Sequence, residues 1–119
     1  MKDISDGVYV ALITPFTKND NIDYDSIEKL INYHNIINTT GIVLLGTTGE
    51  SPTLNEDEKR EIIKFVHSKK NKLNLIIGIG GNNTKQVVEF GKWCDQYADG
   101  FMVTVPSYNK PSQEGIYMH

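Results

Sequence analysis

The side chains best placed for chemistry lie in Gly46–Ser51, GTTGES, where Thr47 and Thr48 sit between two glycines directly after the apolar run Ile42-Val43-Leu44-Leu45. That run is too short for a helix and is bounded by glycines, so it reads as a strand buried on both faces. Gly46 and Gly49 are expected to let the backbone turn sharply just beyond it, leaving amides and the threonine hydroxyls pointing off the strand end. In parallel α/β proteins this carboxyl edge is where ligands bind. A turn of free amides and hydroxyls suits a small carboxylate or phosphate. The same stretch also fits a tight strand-to-helix turn whose threonines only satisfy nearby backbone.

Other reactive side chains have plainer readings. His34 falls on an apolar helical stripe, where a packed, hydrogen-bonded histidine is expected rather than a catalytic one. Trp93 and Cys94 read as core residues, and an apolar-flanked lone thiol is a weak nucleophile. With one cysteine there is no internal disulfide, and no Cys/His cluster has metal-ligand spacing, so neither a metal nor another cofactor is expected. A net charge of −3 gives nucleic acid no electrostatic footing. The opening MKDISDG has no apolar signal region, and no run reaches membrane-spanning length. No membrane partner is expected, and the chain reads as a cytoplasmic globular domain over residues 1–119.

The elements that must hold the GTTGES turn follow from periodicity. Gly7–Phe16 is apolar and β-branched and reads as a first strand, with Thr14-Pro15 a second hydroxyl-bearing strand end. Asp23 reads as a helix N-cap, followed by Ile27, Leu30, Ile31, His34 and Ile37 at helical spacing. Asn55 with Glu58 forms a capping box ahead of a second helix that buries Ile62, Ile63 and Val66, with Phe65 widening the stripe. The lysines around that helix read as a solvated face. Leu73–Ile79 is a third strand ending in GGNNT. Asn83 with Gln86 caps a third helix lined by Val87, Val88, Gly91 and Cys94, where Gly91 implies close packing on a sheet. Gly100–Val105 is a fourth strand, and Ser112-Gln113-Glu114 begins a fourth helix.

Strands alternating with helices imply α/β with a parallel sheet and right-handed crossovers. Two architectures fit: a small open doubly wound sheet, or the N-terminal half of a (β/α)8 TIM barrel with four strands, three helices and the start of a fourth. Such barrels normally need about 250 residues. An end inside an amphipathic segment favours the half-barrel.

Three motifs in order, GTTGES at 46–51, GGNNT at 80–84 and YNKPSQEGIYMH at 108–119, resemble the dihydrodipicolinate synthase family of pyruvate-dependent class I aldolases. The opening GVYVALITPF and IDYDSIEKLINYH fit the same family. The likeness spans nearly all of this chain but roughly the first two fifths of a barrel of family length. It implies a TIM barrel in which a lysine amine forms a Schiff base with pyruvate, and the enamine then attacks aspartate semialdehyde. Under that resemblance Thr47 and Thr48 receive the pyruvate carboxylate. Thr47 also joins a hydroxyl relay, which Tyr108 completes by reaching across a subunit interface, so a homo-oligomer contact through the Tyr108 region is implied.

The sequence departs from the family pattern in places. Ser107-Tyr108 stands where the synthases usually carry two adjacent tyrosines, which removes one ring from the implied interface. Ile79 stands where threonine or valine is common. The Schiff-base lysine, its tyrosine partner and the arginine for the semialdehyde carboxylate have no counterpart within these residues. An imine-forming lysine must be neutral, which needs burial or a cationic neighbour. Lys29, Lys59, Lys64, Lys69, Lys70, Lys72, Lys85 and Lys92 fall on helices or polar turns, Lys2 and Lys18 in polar segments. Lys110 is nearest the active mouth, but matches a basic loop residue. The expectation is therefore a lyase-family segment that is inactive alone. The alternatives are a non-catalytic truncated homologue or association module, and, within the family, an N-acetylneuraminate lyase-like aldolase.

Overall fold

The computed structural model describes residues 4–119; the first residues of the MKDISDG reading, Lys2 among them, lie outside. Four strands, β1 (Tyr9–Ala11), β2 (Gly41–Leu44), β3 (Asn74–Gly78) and β4 (Gly100–Met102), form one sheet in the order β1-β2-β3-β4. Every pairing is parallel, with Val10 opposite Ile42, Ile42 opposite Leu75, and Ile77 opposite Phe101. Three helices make the crossovers, α1 (Tyr24–Ile36), α2 (Glu56–Lys69) and α3 (Thr84–Cys94), and α4 (Gln113–Met118) follows β4. A doubly wound sheet needs a point where the strand order reverses, with helices then falling on both faces. Here each crossover steps to the next strand in one direction. That progression is the barrel half.

Burial agrees. Ile42, Leu44, Leu75 and Ile77 point to the helices and meet Ile27 and Ile31 of α1, Ile62, Ile63 and Val66 of α2, and Cys94 of α3 in one core. On the opposite face Ala11, Ile13 and Met102 are exposed and Val43 is half-buried. Within β2 itself Gly41, Ile42 and Leu44 are buried and Val43 half-buried, so the strand expected to be covered on both faces is fully covered on its helix side and partly on the other.

The helices start where side chains satisfy the orphan amides of their first turns. Asp23 accepts from the Ser26 amide, Asn55 and Glu58 form the reciprocal box, and Asn83 and Ser112 accept from Gln86 and Gly115. Gly91 lies so close to the sheet that a Cβ there would come 3.0 Å from Ile79 Cδ1. His34 is buried, its Nδ1 2.9 Å from the Thr39 hydroxyl.

Some expectations need correction. The strands are shorter than the apolar runs: beyond Ala11 the chain keeps one ladder bond, from the Leu12 amide to Val43 O (2.9 Å), and Phe16 instead bridges Ile22 in antiparallel sense. Ile37 is the C-cap of α1 and half exposed, and Val88 is also exposed, because the apolar stripes narrow where no second helix covers them. Phe90, Trp93 and Tyr97 carry the α3 side of the packing instead. Trp93 is only part-buried and lies under the Arg60 guanidinium, 4.3 Å from its ring centre. Lys70 leaves the solvated face: its Nζ donates to Leu73 O (3.1 Å) and sits 3.8 Å from the buried Asp99 carboxylate.

Candidate active site

The carboxyl edge of the sheet is built by turns that follow β1 to β4, and the turn after β2 is its centre. Leu45 is buried and left-handed (φ 60°), and Glu50 is left-handed too (φ 56°), so the chain reverses at these two residues. Gly46 and Gly49, expected to provide that freedom, are not in the left-handed region; Gly7 is the one such glycine among the described residues. A leucine there costs about 1–3 kcal/mol and persists only where its surroundings over-determine it. Gly78 leaves room for the turned Leu45 carbonyl: a Cβ on it would sit 2.6 Å from Leu45 O. Gly49 serves close approach, with Leu12 O only 3.1 Å from where its Cβ would be.

The turn is closed by its own backbone, the Gly49 amide donating to Gly46 O (3.1 Å) and the Glu50 amide to Thr47 O (3.0 Å). Two threonines outside the Thr47-Thr48 pair do the backbone-satisfying. The buried Thr14 hydroxyl donates to Gly49 O (2.6 Å), and the Thr53 hydroxyl to Glu50 O (2.8 Å). Thr14, at the end of the β1 run, is thus a buried clamp on this turn. Among the described residues the Thr47 and Thr48 hydroxyls and amides donate to nothing, and both side chains are exposed. These donors therefore stand unbonded at the strand mouth.

Tyr108 lies in the loop between β4 and α4, on the same edge. It is 85% exposed, and its hydroxyl makes no hydrogen bond among the described residues. Nor does any hydrogen bond among those residues join it to Thr47, so the two sequence-predicted relay residues share an edge without touching. The loop is instead held from the β3–α3 turn. Asn82 Oδ1 accepts from the amides of Ser107 (3.0 Å) and Tyr108 (3.2 Å), and Asn109 Nδ2 donates to Asn82 O (3.2 Å). Sequence reading gave Asn82 no role of its own within GGNNT; a second asparagine directly ahead of the Asn83 cap was the available signal.

A cleft of about 540 Å³ opens on the helix side of this edge, lined among others by Glu56, Lys59, Arg60, Asn82 and Gln86. Neither Thr47 nor Tyr108 borders it. Neither Lys110 nor Lys70 is buried at the mouth: Lys110 is exposed, and the partly buried Lys70 lies at the opposite, amino edge of the sheet beside Asp99. Cys94 is fully buried, which pushes its thiol up to about 12 and leaves no thiolate for nucleophilic work at neutral pH. Among the described residues no group of three or more His, Cys, Asp and Glu could hold a metal, and no helix is long and apolar enough to cross a membrane.

A singly wound parallel sheet with helices on one face defines the N-terminal half of a (β/α)8 barrel. Residues 4–119 match the Dihydrodipicolinate synthetase family, and the chain belongs to that family. It is 46% identical over 116 residues to the 4-hydroxy-tetrahydrodipicolinate synthase of Parabacteroides distasonis, covering 95% of this chain and 39% of that protein. The crystal structure of a chloride-inhibited dihydrodipicolinate synthase from Acinetobacter baumannii complexed with pyruvate superimposes with a TM-score of 0.91 at 40% identity, covering 95% of this chain and 40% of the other. Proteus mirabilis N-acetylneuraminate lyase, 23% identical over 98% of this chain and 40% of its own, shares the fold at a TM-score of 0.89. The chain thus spans about two fifths of the length of the relatives it matches.

Proposed function

We propose that this segment forms the pyruvate carboxylate cradle and part of the proton relay of a dihydrodipicolinate synthase barrel. The observation that carries the reading is the Gly46–Glu50 turn, whose Thr47 and Thr48 amides and hydroxyls stand unbonded at the strand mouth. A carboxylate accepts such donors in pairs, and backbone amides fixed by a rigid turn need no reorganisation when the anion arrives. The solved A. baumannii relative, itself complexed with pyruvate, supports pyruvate as the anion. Thr47 has a hydroxyl that both donates and accepts, which suits it to pass protons during imine formation. Tyr108 supplies the next hydroxyl from a neighbouring subunit, which fits its exposure and a hydroxyl that bonds to nothing among the described residues. The chain works in the cytoplasm, where lysine biosynthesis consumes the product.

The imine itself requires a lysine that stays neutral, and no lysine among residues 4–119 has a buried place at the mouth. The nucleophile therefore belongs to the part of family length outside this segment, and the segment alone does not condense pyruvate with aspartate semialdehyde. The test uses a family-length hybrid in which residues 4–119 replace the matching segment of the P. distasonis synthase. Borohydride reduction with labelled pyruvate is expected to mark one lysine of the hybrid outside these residues and to leave the 119-residue chain unmarked. A label mapped to Lys110, or to any lysine of this segment, overturns the reading.

A further inference from the structure

We propose that Asn82 is a positioning residue for Tyr108, a role that rests on the relay reading above. Tyr108 has nothing of its own to aim its ring: the side chain is 85% exposed and its hydroxyl is unbonded among the described residues. What the fold can fix is the backbone from which the ring projects. That backbone is fixed at one atom, because the two consecutive amides of Ser107 and Tyr108 converge on Asn82 Oδ1 at 3.0 and 3.2 Å. An sp² carbonyl oxygen has two lone pairs and can serve both. The clamp is reciprocal, since Asn109 Nδ2 donates back to Asn82 O at 3.2 Å. Residues 107–109 are thus tied to the β3–α3 turn on both sides of the tyrosine.

The anchor itself is firm. Gly80 lies against Thr104, where an added Cβ would strike the Thr104 hydroxyl and come 2.9 Å from its amide, and the Ile79 amide donates to Met102 O (3.1 Å). The end of β3 and the run beyond β4 are therefore in backbone contact directly below the clamp. Farther on, the Thr84 hydroxyl meets the His119 ring at the end of α4. Asn82 Nδ2 donates to nothing among the described residues, so within the side chain the oxygen alone holds the loop. Aspartate at this position keeps the acceptor and alanine removes it.

The experiment compares Asn82→Ala and Asn82→Asp in the family-length hybrid, each with and without Tyr108→Phe. Asn82→Ala is expected to lower kcat by about tenfold or more with the pyruvate KM within about twofold, as misaiming a relay group does. Asn82→Asp should retain kcat to within about threefold. Added to Tyr108→Phe, Asn82→Ala should cost less than about threefold, because residues acting through one another are not additive. Amide exchange at Ser107 and Tyr108 should quicken in the alanine variant and not in the aspartate one. An unchanged kcat in Asn82→Ala beside an impaired Tyr108→Phe overturns the positioning role while leaving the relay standing. An equal loss in the Tyr108→Phe background does the same. An unimpaired Tyr108→Phe overturns the relay reading and the positioning role together.

Discussion

Replacing Thr14 by valine should loosen the proposed cradle without touching Thr47 or Thr48. The two side chains match in shape, so the core keeps its volume, and the loss is a single hydroxyl. That hydroxyl donates to Gly49 O across 2.6 Å, and Thr14 is 4% exposed, so no water replaces the bond. The carbonyl left behind belongs to a buried glycine that receives no other hydrogen bond among the described residues. An unsatisfied buried acceptor costs about 1–3 kcal/mol, more than the net worth of an ordinary hydrogen bond. In the family-length hybrid this is about 2–6 °C of thermal midpoint, taking the lower end of the size scaling. The pyruvate KM should rise about 3- to 10-fold, since a less preorganised turn loses on the order of 1 kcal/mol of anion binding. Thr14→Ser, which keeps the donor, should recover most of the affinity. Differential scanning calorimetry and steady-state kinetics read both quantities. A valine variant within about 0.3 kcal/mol of the parent, with unchanged KM, would refute the claim that Thr14 clamps the turn.

Gly78→Ala should be among the most damaging single-methyl changes, because its Cβ would sit 2.6 Å from Leu45 O and 3.0 Å from Leu45 C, which are backbone atoms of a strained turn. A loss of about 1–3 kcal/mol is expected in urea unfolding, against much less for Gly46→Ala, whose nearest neighbour is the flexible Met102 Cε at 3.2 Å. Equal midpoints for the two variants would contradict this. The Cys94 thiol should resist iodoacetamide at pH 8 in the folded protein and react at once in denaturant; rapid labelling of the native state would show that it is not buried. Its raised pKa, about 12, also sets a sign: above the ordinary thiol value near 9 the unfolded chain gives up a proton that the folded chain keeps. Stability should therefore fall by up to about 1.4 kcal/mol per pH unit between those values, and Cys94→Ala should lack that component.

The helices were legible because their signals are local. Asp23, the Asn55–Glu58 pair, Asn83 and Ser112 each act within three residues of themselves, and Ile27, Ile31, Ile62, Ile63 and Val66 repeat at the helical period. The choice between an open sheet and a barrel half was not local, since it depends on which strands become neighbours. At the site, the type of turn was readable and its mechanics were not. The left-handed conformation belongs to Leu45, a residue with no preference for it, and the room for its carbonyl comes from Gly78 on the next strand. Lys70 and Asp99, separated by most of a β-α unit, meet at 3.8 Å only after the third crossover forms. Asn82 likewise acts on residues 25 and 26 positions away, so a pattern read in windows sees only a turn asparagine.

Thr47→Val in the family-length hybrid tests the central claim most directly. Valine keeps the shape and the backbone amides, so the carboxylate cradle survives and the pyruvate KM should stay within about threefold. The missing hydroxyl is the one the proposed relay needs, and general acid–base help is worth about 10²–10⁴ in rate, so kcat should fall by that factor. A kcat within about threefold of the parent would contradict the account and leave Thr47 a turn residue beside an anion site.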